Sequence, residues 1–205
     1  MQTNHLVDQL KASLADTLPG RDVQFRMAPS ARPPEPPYEM IPAAVLIALY
    51  EKEGNWHFPL IHRVEDGYPH GGQISLPGGR LEAKERSIDA ALREAEEEIG
   101  IDPTNLQVLG KLTPLPIPVS GYTATPVIAF LNESPSYRLQ PSEVQAILIA
   151  DLQELADPEN EHVESRSFFG KPSTIPFFWL GGHKVWGATA MMLSELREIL
   201  QRIRI

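Results

Sequence analysis

Three carboxylates gathered at the end of one helix are the residues of this chain best suited to chemistry. Glu94 and Glu98 stand four apart with Glu97 beside them, so a helix stacks them on one face. Like charges at that spacing repel, and near a helix C-terminus they crowd the negative end of its dipole. Such a misfit is expected where a hard divalent cation neutralises the group, because magnesium takes oxygen ligands and keeps positions for water and for substrate phosphate oxygens. The competing reading is a solvated acidic face on which Arg93 pairs locally. The glycine loop at a fixed distance upstream, Pro77-Gly78-Gly79, favours the first.

The elements that must position these acids can be read directly. Proline and the two glycines break a strand into a loop. A helix begins near Arg86 or Ser87, with Ile88, Ala91, Leu92, Ala95 and Ile99 recurring at three- and four-residue steps as one buried stripe. Gly100 follows the last of them as a C-cap.

The whole stretch from His70 to Ile101 resembles the Nudix box. Gly79 is followed by five residues and Glu85, seven more lead to Arg93-Glu94-Ala95, and Glu96, Glu97-Glu98, Ile99 and Gly100-Ile101 complete the signature. The resemblance implies that Glu94 and Glu98 are the principal metal ligands for Mg2+ or Mn2+. It also implies that Glu97 is a further or water-mediated ligand, that Arg93 and Glu85 brace loop against helix, and that the Gly79 carbonyl reaches the metal. It implies an α/β fold, an α/β/α sandwich with a mixed central sheet, and hydrolysis of a nucleoside diphosphate linked to another group.

Upstream, Leu60-Ile61-His62-Arg63 and His70, Gly72 and Gln73 are similar to the segment that marks the coenzyme A diphosphatase branch of the family. Tyr68 stands where that branch usually has a basic residue, and Leu76 where it usually has Phe. Downstream, Pro118-Val119-Ser120 with Pro126-Val127, and Pro176-Phe177-Phe178 with Val185-Trp186-Gly187-Ala188-Thr189-Ala190, look like the same branch. Arg63, His70, Gln73, Gly78 and Gly79 are therefore expected to bind substrate, and a loop over 115–122 could form a pocket wall. For His70 the alternative is a hydrogen bond that merely holds the loop. The implied products from coenzyme A are a phosphopantetheine and an adenosine bisphosphate. ADP-ribose, NADH or a dinucleoside polyphosphate are alternative substrates, since the box reads only the diphosphate. A non-catalytic nucleotide sensor is a further alternative.

The chain has 205 residues and a net charge of −9, with 42% hydrophobic and 22% charged residues. That is an ordinary globular composition, and the acidic balance argues against a nonspecific nucleic-acid binder. An anionic substrate is still compatible, because a metal supplies local positive charge. Without cysteine there is no disulfide, zinc thiolate site or thiol catalysis. No apolar run approaches a membrane span, and no signal pattern opens the chain, so the cytoplasm is the default.

In order along the chain, 5–18 reads as a helix with Leu6, Leu10, Leu14 and Leu18 on one face, a possible homodimer element. Residues 28–42, crowded with proline, read as an extended connector, which makes 1–42 an appendage to a catalytic domain over 43–205. Strands are expected over 43–50, 56–62, 70–76, 106–112, 125–131, 145–150 and 173–180. Loops are expected over 115–122 and 157–164, with a short helix over 151–156 between the last two strands. The last helix is expected to start within 185–190 and to bury Leu193, Leu196, Leu200 and Ile203. Glu143, just before the strand over 145–150, is the candidate general base or extra metal ligand, against a reading as a solvent-facing strand-edge carboxylate.

Overall fold

The structure, a computed structural model, describes residues 2–36, 38–65, 67, 70–168 and 170–204. In chain order the elements are α1 (Gln2–Ala15), α2 (Arg21–Phe25), β1 (Ile41–Lys52), β2 (Asn55–Arg63), β3 (Ile74–Ser75), β4 (Gly78–Arg80) and α3 (Ser87–Ile99). There follow β5 (Leu106–Lys111), β6 (Leu115–Ile117), β7 (Tyr122–Leu131), β8 (Val144–Asp151) and α4 (Leu152–Ala156). The chain closes with β9 (Glu161–Phe168), β10 (Lys171–Leu180), β11 (His183–Trp186) and α5 (Gly187–Arg202).

The apolar run of β1 is buried on both faces because β1 is central. It lies parallel to β7 and antiparallel to β2 and β4. Alternation then divides its side chains between two cores. Ala44, Leu46, Ala48 and Tyr50 meet Ala91, Ala95 and Ile99 of α3. Ala43, Ile47 and Leu49 face the other way, toward Leu6 and Leu10 of α1 and Leu193, Leu196 and Leu200 of α5. A mixed sheet thus lies between helical layers, as an α/β/α sandwich requires. A second, antiparallel sheet is built of β9, β10 and β11.

Several boundaries differ from the sequence reading, each for a local reason. α1 ends at Ala15, and Leu18 packs from a non-helical segment ahead of Pro19-Gly20. The expected strand over 70–76 shrinks to β3. Gly71-Gly72 do not hold an extended ladder, and His70 and Gly72 both adopt positive φ, 86° and 68°, in a turn closed by the Gln73 amide on the His70 carbonyl. The proline-broken loop contains β6, an edge strand on which Pro116 is tolerated because it has only one neighbour. The acidic stretch after α4 is a short 3-10 turn, Pro158–Asn160, followed by β9. Its acidic composition hid a strand that is largely solvent-exposed. Gly187, with φ of 64°, separates β11 from α5, so the last helix starts inside the expected window.

The N-terminal segment is stitched to the sandwich. The fully buried carboxylate of Glu195 on α5 accepts from the Gly20 amide at 2.9 Å, Gln24 Nε2 at 2.8 Å, the Thr113 amide at 3.1 Å and Thr113 Oγ1 at 2.7 Å. The proline connector is tied as well. The Ser30 amide donates to the Thr174 carbonyl, and the Ala31 amide donates to Ser173 Oγ of β10. Glu195→Ala would orphan four donors at once, so it is expected to cost about 3 kcal/mol or more. Denaturant unfolding measures this, and early proteolysis within the first thirty residues would accompany it.

Candidate active site

Position 78 must be glycine. β4 runs antiparallel to β1, pairing Ala44 with Gly79 and Val45 with Gly78, and the Leu46 amide donates to the Pro77 carbonyl. At Gly78, with φ of 153°, a Cβ would lie 2.3 Å from the Ala44 carbonyl oxygen. The Gly78 amide is thereby aimed at α3, where it donates to Glu98 Oε2 at 2.8 Å. Glu98 is buried, and its other oxygen takes Arg63 Nη1 at 3.1 Å. Burial, the largest effect, pushes its carboxyl up to about 7 against the opposing Gly78 and Arg63 contacts, while the charges of Glu94 and Glu143 push the same way.

Arg93 organises the remaining acids. It forks onto Glu85 (Nε to Oε1 2.9 Å, Nη2 to Oε2 3.0 Å), and Nη1 reaches Glu94 Oε1 at 2.9 Å and Glu97 Oε2 at 3.2 Å. Nη2 also donates to the Arg80 carbonyl at 3.1 Å, fixing the glycine loop against the helix. The Glu85 hydrogen bonds are the main reason that Arg93 is held more firmly protonated than usual, and the same contact pulls the Glu85 carboxyl down. The Glu94 carboxyl is raised, by burial first, against Arg93, with Glu97 and Glu143 adding repulsion. Gly79 faces that carboxylate so closely that a Cβ would lie 2.5 Å from Glu94 Oε1.

Among the described residues no three acids or histidines are drawn together at metal-holding distance. The side chains account for this: Glu94 and Glu97 turn to Arg93, and Glu98 turns to Arg63 and Gly78. The donor set nevertheless fits a hard divalent cation. It is all oxygen, it stands on one helix, and the buried Glu98 and half-buried Glu94 are crowded by negative charge that a cation would relieve. Glu143 is exposed, with its carbonyl accepting from the Val64 amide, and its charge is felt by both Glu94 and Glu98.

A cavity of about 480 Å³ opens in front of the glycine loop. Gly78, Gly79 and Arg80 form its floor, and Arg63, His70 and Gln73 one side. Ile117, Val119 and Tyr122 of the β6–β7 turn form a wall, and Ala188, Thr189 and Met192 of α5 the far side. All five expected substrate-binding residues thus line one space. Arg63, however, is already held by Glu98, and among the described residues the His70 ring has a long 3.4 Å contact from Nδ1 to Gln73 Oε1. Desolvation lowers the His70 pKa, opposed by Gln73 and helped by the Arg63 charge, so it is neutral near pH 7. Tyr68 lies outside the described residues. Leu76 is buried in the core and also touches the cavity. The sequence reading did not assign Arg80, Ala188, Thr189 or Met192 to the substrate site, although Ala188 and Thr189 belong to the downstream run similar to the coenzyme A branch.

A family model described as the NUDIX domain matches residues 40–169. The chain belongs to the Nudix hydrolase family. It is 38% identical to the Nudix hydrolase NudL of Photorhabdus laumondii over 133 residues, 64% of this chain and 71% of that protein. It is 34% identical to the mitochondrial Nudix hydrolase 15 of Arabidopsis thaliana over 184 residues, 86% of this chain and 64% of the plant protein. Among solved structures, a Nudix hydrolase of M. smegmatis, RenU, superposes with a TM-score of 0.55 at 21% identity, covering 82% of this chain and 90% of that one. A MutT/nudix family protein of Enterococcus faecalis gives 0.52, also at 21% identity, covering 83% and 65%. These two likenesses establish the Nudix fold. As a Nudix hydrolase, the chain is a pyrophosphohydrolase acting on nucleoside diphosphate derivatives.

The two loop glycines make opposite predictions. Gly78→Ala would push into strand backbone and should cost about 2 kcal/mol or more of stability. Gly79→Ala meets only the mobile end of Glu94. It should leave the melting temperature nearly unchanged while nucleotide hydrolysis falls about tenfold or more. Thermal unfolding and steady-state rates on both variants check this.

Glu98 makes a pH prediction. Its folded pKa lies above its unfolded value, so its contribution to stability is full below the ordinary carboxylate range and is lost as pH rises through about 7. In chelator, the wild-type denaturant midpoint should fall across that window relative to Glu98→Gln, which does not titrate.

Proposed function

We propose that this Nudix hydrolase cleaves coenzyme A or acyl-coenzyme A to phosphopantetheine products and adenosine 3',5'-bisphosphate, and that Mg2+ or Mn2+ binds at Glu94, Glu97 and Glu98. The observation that carries the reading is a convergence. Arg63, His70 and Gln73, which bear the resemblance to the coenzyme A branch, line the same cavity as Gly78 and Gly79 of the Nudix loop. Val119, Ser120, Ala188 and Thr189, from the downstream segments similar to that branch and far from the loop in sequence, line the same cavity.

A pyrophosphate resists hydrolysis because its oxygens repel an incoming nucleophile. A bound divalent cation supplies neutralisation of those oxygens and a more acidic water. The chain's own residues do the rest. Gly78 and Gly79, lacking side chains, let the diphosphate approach the loop backbone. Arg93 keeps the acids of α3 aimed at that loop through Glu85, and Arg63 keeps Glu98 in place from the cavity side. Glu143, exposed and close enough for its charge to act on Glu94 and Glu98, takes the proton of the attacking water as general base. One water adds across the P–O–P bridge, its hydroxyl going to one phosphorus and a proton to the leaving phosphate.

The test is hydrolysis, with magnesium or manganese, of coenzyme A, acetyl-coenzyme A, ADP-ribose, NADH and diadenosine tetraphosphate, with products identified by mass. Coenzyme A should be preferred. Preference for another member of the panel would keep the Nudix chemistry and overturn the coenzyme A assignment, and no turnover of any would favour a nucleotide sensor. Glu97→Gln is the cleanest variant, since Glu97 is exposed and among the described residues its carboxylate pairs with Arg93 alone. It should lose nearly all turnover while remaining folded. Glu143→Gln should lose about a hundredfold or more in rate with metal affinity largely kept.

A further inference from the structure

The proline connector does not only link elements: it forms part of a pocket. A smaller space of about 130 Å³ is bounded by Pro29, Arg32 and Pro33 of the connector on one side and by Leu115–Val119 and the start of α5 on the other. His70, Gln73, Ile117, Val119 and Ala188 line both this space and the large cavity. The two are therefore lobes of one site, and the smaller is the lobe away from the glycine loop.

Arg32 is the cation of that lobe. Its Nη2 donates to the Pro116 carbonyl at 2.8 Å, and its guanidinium lies over the Phe25 ring at 4.7 Å. Both contacts hold the group in place without neutralising it. Among the described residues no carboxylate lies within ion-pairing distance of Arg32; the charge of Glu35, which is paired with Arg21, acts on it only from farther away. A half-buried guanidinium among prolines and an aromatic ring is normally matched by an anion. The remaining N–H groups of its planar fork suit a phosphate or a carboxylate. The lobe is too small for a nucleoside but large enough for one substituent.

We propose that Arg32 is a specificity residue that binds a phosphomonoester carried by the substrate outside the scissile diphosphate. This rests on the coenzyme A reading for the identity of the group, the 3'-phosphate of the adenosine moiety. The connector is then a substrate-recognition element, and the segment before the family-matched region takes part in choosing the substrate.

The experiment is calorimetric binding of adenosine 3',5'-bisphosphate and of adenosine 5'-monophosphate to the full chain and to Arg32→Ala. Steady-state rates on coenzyme A and 3'-dephospho-coenzyme A are measured alongside. The wild type should bind the bisphosphate more tightly, and Arg32→Ala should lose about ten- to hundredfold of that preference. On coenzyme A, KM should rise with kcat kept, while 3'-dephospho-coenzyme A is unaffected. Absence of preference in the wild type, or a preference that survives in Arg32→Ala, overturns the inference. So does an equal loss of kcat on both substrates, which would make Arg32 merely structural. Turnover of coenzyme A with an Arg32-independent preference overturns this inference alone. An Arg32-dependent binding preference without coenzyme A turnover upholds it and overturns the substrate reading.

Discussion

The contact on which the site depends is the hydrogen bond from the Gly78 amide to the buried carboxylate of Glu98. It joins the glycine loop to α3, and it exists only because residue 78 lies flat against β1 where no side chain fits. The same carboxylate is an expensive group to bury, and Arg63 and the backbone amide only partly offset that cost. The fold thus keeps a desolvated acid under its active loop, beside a second one at Glu94. A merely stabilising helix would avoid that arrangement.

Arg93 keeps this arrangement from relaxing. One guanidinium contacts three carboxylates and a loop carbonyl, so the acids cannot drift apart without breaking a forked ion pair. The price is that the carboxylates are presented to Arg93 rather than to one another. Local chemistry at the site is therefore a contest between an internal cation and an external one.

Much of this was legible in the sequence. Helix α3 follows its stripe and ends at Gly100, in left-handed conformation as a C-cap requires. The Arg93–Glu85 brace follows from the resemblance. What escaped was set by tertiary context. Glu161–Phe168 has no apolar alternation, yet it forms a strand because β10 offers it an edge. β6 carries Pro116, which composition reads as a loop. Met192 reaches the cavity through folding alone, and no spacing links it to the loop. Arg32 was hidden for another reason. A cation in a proline-rich run looks like part of a spacer until Pro116 and Phe25 are seen to hold it.

The central pair of the sheet carries a consequence for how the chain reaches this state. β1 lies parallel to β7 in continuous register from Ile41 with Tyr122 to Tyr50 with Leu131. Everything between, including the whole of α3, lies inside that closure. Loop entropy must be lost before the pairing gains anything, which places this topology among the slower folders. On a ribosome, the strand at the heart of the domain would wait for its partner while the β1–β2 hairpin and α3 formed first. Only when residue 131 had emerged could the two cores close around it.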